Sequence, residues 1–271
     1  MSRPKVSKAE GDPTNSFFSG MHVSNEYGHM HRRATHGARN GERTAMQRGY
    51  HLIAIGGGGF THDEDPALDA YCLEGLPQRP RLGFIGAASG DAPDRIARFY
   101  SRFADCAAAL SHLPLDATAQ EARDWLAGLD LVYLGGGNTA FLVDHLRRTG
   151  LGAALAEAMA RGTILAGVSA GAACWFDGVL SDSRGDGLRP LPGLGVLPGS
   201  ICPHFSTEPH RRPAFRDAIA RGELPAGLAI DDGVAVRLRS GHPPEVFAAR
   251  PQAGAYHLRP DASSGFVQTR L

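Results

Sequence analysis

From residue 50 onward, short apolar runs alternate with stretches whose apolar residues recur every three or four positions. His51-Leu-Ile-Ala-Ile55, Leu82-Gly-Phe-Ile85, Leu131-Val-Tyr-Leu134 and Thr163-Ile-Leu-Ala166 read as strands. Between them, Ile96, Phe99, Phe103, Ala107 and Leu110 form one helical stripe, and a further helix is expected around Trp125. Two more helices carry Phe141, Leu142, His145 and Leu146, then Leu151, Leu155 and Met159. Asp65-Pro66 predicts a helix start, with Asp as N-cap and Pro in the first turn. Short strands separated by helices of about 10–15 residues predict βαβ units around a parallel sheet. Gly227-Leu-Ala-Ile230, Gly233-Val-Ala-Val-Arg-Leu238 and Val246-Phe-Ala-Ala249 are short strands between Gly/Pro turns, expected to extend that sheet in antiparallel fashion. The fold class is therefore α/β, a mostly parallel sheet flanked by helices with a short antiparallel C-terminal extension.

Residues 1–49 lack this periodicity and are polar, so they are expected to be a disordered extension, with residues 50–271 forming a single domain. His22, His29, His31 and His36 in that leader match no standard metal-ligand spacing, and Met46 is an alternative start. No window approaches the ~18 apolar residues of a membrane helix. The leader lacks the apolar core of a secretory signal, so a cytoplasmic location is expected. Cys72, Cys106, Cys174 and Cys202 are scattered and read as reduced thiols.

Across 271 residues, 28 Lys+Arg balance 28 Asp+Glu, which argues against a nucleic-acid track. The balance is uneven, because residues 1–50 carry eight Lys/Arg against four Asp/Glu. Both lysines, Lys5 and Lys8, lie there. The body thus has no P-loop lysine, no Schiff-base lysine and no Ser–Lys dyad.

Three glycine-rich turns follow strands, at Gly56–Gly59, Gly135-Gly-Gly-Asn138 and Gly167-Val-Ser-Ala-Gly171. In a parallel sheet they gather at the carboxyl edge, where ligands bind. The first fails as a dinucleotide fingerprint, since Thr61 and His62 stand where the last glycine is needed. His62-Asp-Glu-Asp65 looks metal-like, but consecutive side chains diverge and a solvated helix start explains it.

The third turn fits G-x-S-x-G between a strand and an Ala-rich helix, a bend that projects the Ser169 hydroxyl. A serine needs a base. Of His204, His210, His242 and His257, His204 follows a strand end at Ile201-Cys-Pro and is favoured. Candidate orienting acids are Asp231 and Asp232 after a strand, or Asp182 and Asp186 in a loop. The Ala170 N–H is a natural oxyanion donor, and the Gly135–Asn138 loop can supply another, with phosphate cradling as its competing use.

Gly56–Gly59, Gly135-Gly-Gly-Asn-Thr139, Gly167-Val-Ser-Ala-Gly-Ala172, Pro203-His-Phe205 and Ala229-Ile-Asp-Asp-Gly233, in this order, make the chain resemble the peptidase E family of serine peptidases. That family includes aspartyl dipeptidases and the related cyanophycinases. The resemblance implies a fold like the class I glutamine amidotransferase domain, with serine replacing the amidotransferase cysteine. It further implies Ser169 as nucleophile, His204 as base, and Gly136 or Gly137 with Ala170 as oxyanion donors. Some members place an aspartate between Ser and His, pointing to Asp182 or Asp186. The cyanophycinase-like branch uses a glutamate in Ile-Asp-Glu, where this chain has Asp232, and Asp232 is the acid we favour. Arg211 and Arg212 stand where the family suggests an arginine for a substrate carboxylate, and Asn138 is a further candidate substrate contact.

The resemblance implies a serine peptidase that cleaves short peptides, among them Asp-X dipeptides, without metal or organic cofactor, and a homodimer or higher homo-oligomer. Rivals are an α/β-hydrolase esterase, which runs Ser…Asp…His, and a non-catalytic small-ligand-binding domain.

Overall fold

The computed structural model describes residues 49–271, so residues 1–48 of the expected extension, with its histidines and Met46, lie outside the described residues. The chain begins with β1 (His51–Ile55), α1 (Pro66–Cys72), β2 (Arg81–Ile85), α2 (Pro93–Phe103), β3 (Ala109–His112), α3 (Ala119–Leu126) and β4 (Leu131–Leu134). It continues through α4 (Thr139–Arg148), α5 (Leu151–Ala160), β5 (Ile164–Val168) and the short α6 (Ala170–Ala173). Then come β6 (Phe176–Ser181), β7 (Arg189–Pro192), β8 (Leu197–Cys202), α7 (Arg211–Ala220) and β9 (Gly227–Ile230). Last are β10 (Val234–Arg239), β11 (Glu245–Ala248), β12 (Ala255–Asp261) and β13 (Gly265–Arg270).

Two sheets form. The first has the order β11-β10-β1-β5-β4-β2-β3, with β1, β5, β4, β2 and β3 parallel and β10 and β11 antiparallel at the β1 edge. Its parallel strands read as continuous apolar runs because both faces are covered. Leu52, Ala54, Val132, Leu134 and Leu165 face α3, α4 and α5. Ile53, Ile55, Leu131, Tyr133 and Ala166 face the α1 and α2 side, where they meet Leu68, Phe99 and Phe103. The helix expected through Leu110 ends at Phe103. Ala107 is buried after it, and Leu110 belongs to the edge strand β3.

The second sheet, in the order β13-β12-β9-β8-β6-β7, departs from the expected simple extension. Of the three predicted C-terminal strands, β10 and β11 extend the first sheet, whereas β9 pairs with β8 and β12 in the second. The period-2 pattern of these segments gives strand character but not the partner. Leu228 and Ile230 face the main core, while Ala229 packs with Phe205, Phe215 and Ile219 beneath α7. Leaving β9 in one sheet and entering β10 in the other, the chain crosses the seam between the sheets at residues 231–233.

Candidate active site

β1, β5 and β4 are neighbours, so the three glycine turns at their carboxyl ends do converge. At the centre is Ser169, held at φ 53° and ψ −114° between β5 and α6. Its side chain makes no cap hydrogen bond. This is the strained bend of a projected hydroxyl. The flanking glycines are required by contact. A Cβ on Gly167 would lie 2.2 Å from Gly171 O, and one on Gly171 would lie 2.2 Å from Leu134 O. The Trp175 indole N–H, fully buried, donates to Gly171 O at 3.0 Å and fastens the turn to the core.

His204 comes from the other sheet, two residues past β8, and it too has a positive φ of 54°. Ser169 and His204 thus stand at strand ends of different sheets and meet across the seam. His204 Nε2 lies 2.9 Å from Ser169 Oγ. His204 Nδ1 lies 2.6 Å from Asp232 Oδ1. An ionised carboxylate only accepts, so Nδ1 carries the proton and Nε2 accepts from the serine hydroxyl. Burial alone would raise the Asp232 pKa. The hydrogen bond and charge of His204, a hydrogen bond from Thr207 and the charge of Arg250 outweigh it, and the pKa is lowered.

The other candidate acids are elsewhere. Asp231 points the opposite way along the chain, buried, accepting the Gly254 N–H at 2.9 Å. Asp182 is exposed and 3.7 Å from Arg211 Nη2, and Asp186 pairs with Arg189 at 2.9 Å. Asp186 lines a separate groove with Asp217, Arg221 and Glu223, which contains none of Ser169, His204 and Asp232. Of the other imidazoles, His210 precedes α7, His242 follows β10 and His257 lies on β12.

Around this row the glycine turns provide clearance. A Cβ on Gly136 would stand 3.3 Å from Ser169 Cβ, and Gly137 has φ 145°, with Ala88 O 2.2 Å from any Cβ there. Ala170 opens α6, so its N–H has no intrahelical acceptor. Gly57, in the turn that failed as a nucleotide motif, lies against the His–Asp pair: a Cβ would be 2.1 Å from Asp232 Oδ1. Its carbonyl also accepts the Gly233 N–H at 2.9 Å. Asp65 departs from expectation: it precedes α1 at φ 46° without capping it, and its carboxylate instead takes Arg250 Nη2 at 2.7 Å. Among the described residues no group of three or more His, Cys, Asp or Glu could hold a metal.

The expected substrate contacts divide. Asn138 is committed to the protein: Oδ1 accepts the Phe141 N–H at 2.8 Å as the cap of α4, and Nδ2 donates to Ser183 O at 3.0 Å. Arg211 is buried, with Nε on Glu208 at 2.6 Å and Nη1 on Leu180 O at 3.2 Å. Arg212 is partly exposed, stacked 5.1 Å over Phe205, the residue after His204, and bonded to Ser206 Oγ. Sequence reasoning missed His62, whose ring lies 6.4 Å from that of His204 and whose Nδ1 is 3.2 Å from Gly58 O. Its place within the rejected metal-like run concealed it.

Comparison with known proteins points to one family. The model of peptidase family S51 matches residues 52–244. An uncharacterized peptidase, YgaJ of Bacillus subtilis (strain 168), is 39% identical over 210 residues, covering 76% of this chain and 91% of that protein. Peptidase E of Streptomyces coelicolor is 32% identical over 135 residues, 48% of this chain and 53% of that one. The crystal structure of a peptidase from an acI-B1 Actinobacterium superposes with a TM-score of 0.64 at 22% identity, covering 83% of this chain and 95% of its own, which shows a shared fold. With the family model spanning both Ser169 and the His204–Asp232 pair, this chain belongs to peptidase family S51 and is a serine-type peptidase.

Proposed function

We propose that the chain hydrolyses short peptides through an acyl-enzyme, with Ser169 as nucleophile, His204 as base and Asp232 as orienting acid. The observation that carries this reading is the unbroken hydrogen-bonded row from Asp232 through His204 to Ser169, at 2.6 and 2.9 Å. Ser169 Oγ attacks the peptide carbonyl as His204 Nε2 takes its proton. The ionised Asp232 stabilises the imidazolium that forms. His204 then protonates the leaving nitrogen, the C–N bond breaks, and an ester to Ser169 remains. Water, deprotonated by the same imidazole, attacks that ester and regenerates the hydroxyl. The N–H groups of Ala170 and of Gly136 or Gly137 receive the developing oxyanion, each worth about 2.7–4 kcal/mol in such sites.

The substrate class is Asp-X dipeptides, with Arg212 as the guanidinium that meets the Asp carboxylate. Arg212 keeps donors available, whereas Arg211 is consumed by Glu208 and Leu180. The acid follows the histidine in the chain, an order unlike the Ser…Asp…His of α/β-hydrolase esterases. Among the described residues no helix is long and apolar enough to cross a membrane, and the setting proposed for the peptidase is the cytoplasm.

Labelling with a fluorophosphonate, beside a panel of Asp-X, β-Asp-Arg and unrelated dipeptides with ester controls, tests the reading. Wild type should label at Ser169 and cleave Asp-X substrates, and Ser169→Ala should do neither. Equal labelling of Ser169→Ala defeats the nucleophile assignment, and turnover of esters without any peptide defeats the peptidase chemistry proposed for it.

A further inference from the structure

The carbonyl of Gly136 accepts a hydrogen bond from Arg95 Nη1 at 3.1 Å. Arg95, Arg98 and Arg102 share one face of α2 at spacings of three and four; Arg98 and Arg102 reach the segment around Thr61–Asp69, whereas Arg95 reaches the Gly135–Asn138 loop. Arg98 Nη1 donates to Thr61 O at 2.9 Å, and Arg102 meets Asp63 at 3.2 Å and Asp69 at 3.5 Å. Arg98 also faces Asp94 at 3.5 Å. Among the described residues no carboxylate lies within 4.0 Å of Arg95. A half-buried guanidinium without a counter-ion is thus aimed at a backbone carbonyl next to the proposed nucleophile.

From this geometry we propose that Arg95 is a positioning residue that fixes the orientation of the Gly136–Gly137 peptide, and with it the Gly137 N–H, for the peptidase reaction. The proposal rests on the acyl-transfer reading of Ser169. In a trans peptide the C=O of one residue and the N–H of the next point in opposite directions. With its oxygen on Arg95, the plane turns the Gly137 N–H to the far side. Gly136 stands against Ser169, and Gly137 has the φ of 145° that only glycine adopts readily. Neither residue carries a Cβ, so little steric resistance opposes rotation of the plane. A rotated plane would offer an acceptor where the oxyanion needs a donor. The charged hydrogen bond from Arg95 holds one orientation and polarises the amide, strengthening its N–H.

The test uses the full chain with Arg95→Met, Arg95→Gln and Arg95→Lys. Phosphonylation by a fluorophosphonate gives kinact and KI separately, and the best-cleaved dipeptide gives kcat and KM. Arg95→Met should lower kinact and kcat by roughly 10–100-fold, part of the 10²–10³ lost with a whole donor, while KI and KM stay within about threefold. Arg95→Lys, and Arg95→Met with added guanidinium, should recover part of the loss. The pH midpoint of labelling should not move, because His204 and Asp232 are untouched. Arg95→Gln serves under the same criteria if Arg95→Met fails to fold. A loss confined to KI and KM, or rates within about twofold of wild type, overturns the proposal. Wild type unlabelled at Ser169 removes the acyl-transfer reading as well, whereas a labelled wild type with an undiminished variant removes this inference alone.

Discussion

Gly57 and Asp232 share a space that has no room for one more carbon: a Cβ on Gly57 would fall 2.1 Å from Asp232 Oδ1 and 2.8 Å from His204 Cε1. The His–Asp pair depends on a hydrogen atom where any other residue would carry a side chain. Gly57→Ala should therefore push Asp232 away from His204. Misplacement by about 1 Å costs on the order of 10²-fold in rate. Steady-state kinetics should show that loss mainly in kcat, with circular dichroism unchanged. Full activity would show that the pair tolerates displacement.

Asp232→Asn should keep the fold and remove the charge that fixes the imidazole tautomer. In triads of this kind the equivalent change lowers kcat by about 10⁴-fold. Asp182→Asn and Asp186→Asn should be near wild type, since neither approaches His204. Comparison of kcat among the three variants identifies the acid.

The two neighbouring arginines should separate cleanly. Arg211→Ala strands Glu208 and the Leu180 carbonyl and should cost about 2–3 kcal/mol in urea denaturation, as for hydrogen bonds from a charged group. Arg212→Ala should leave stability within about 1 kcal/mol, given an exposed cation–π contact, and raise KM for Asp-X dipeptides. An unchanged KM would remove Arg212 from substrate recognition.

Asn138→Ala should lower stability by about 1 kcal/mol through loss of the α4 cap. It also releases the Ser183 loop. KM should be nearly unchanged, and a large selective rise in KM would restore Asn138 as a substrate contact.

Asp69 is buried beneath the Gly59–Phe60 turn, accepting the Phe60 N–H at 3.1 Å, and burial pushes its pKa up to about 6. The native state then binds this proton more tightly than the unfolded chain. Its contribution is most favourable below the ordinary carboxylate range and is lost as pH rises from about 4 through about 6. Relative to wild type, Asp69→Asn should therefore gain stability between pH 4 and pH 7, by an amount on the order of 3 kcal/mol at most. Denaturant midpoints across that range would test it, and a flat difference would show that Asp69 ionises freely.

Much of the fold was legible because the strands are short, apolar and separated by punctuated helices. β1, β4 and β9 have the bounds their apolar runs imply. The helical stripe continued past Phe103 in the sequence because Ala107 and Leu110 keep the spacing, although the chain turns after α2 and Leu110 enters β3. Periodicity records burial, and burial continues through a change of element. Ser169 was legible because G-x-S-x-G specifies a local bend. The acid was not, since Asp182, Asp186, Asp231 and Asp232 are alike as local sequence.

The sequence by itself determined the α/β alternation, the glycine turns at the strand ends, and the strained serine, because each follows from the steric and burial preferences of residues close in the chain. Only the tertiary structure decided that His204 approaches from a second sheet, that Asp232 rather than Asp231 turns inward, and that Gly57 makes room for both. Those outcomes depend on how β9 and β10 part into different sheets, a choice made by packing between residues far apart in the chain.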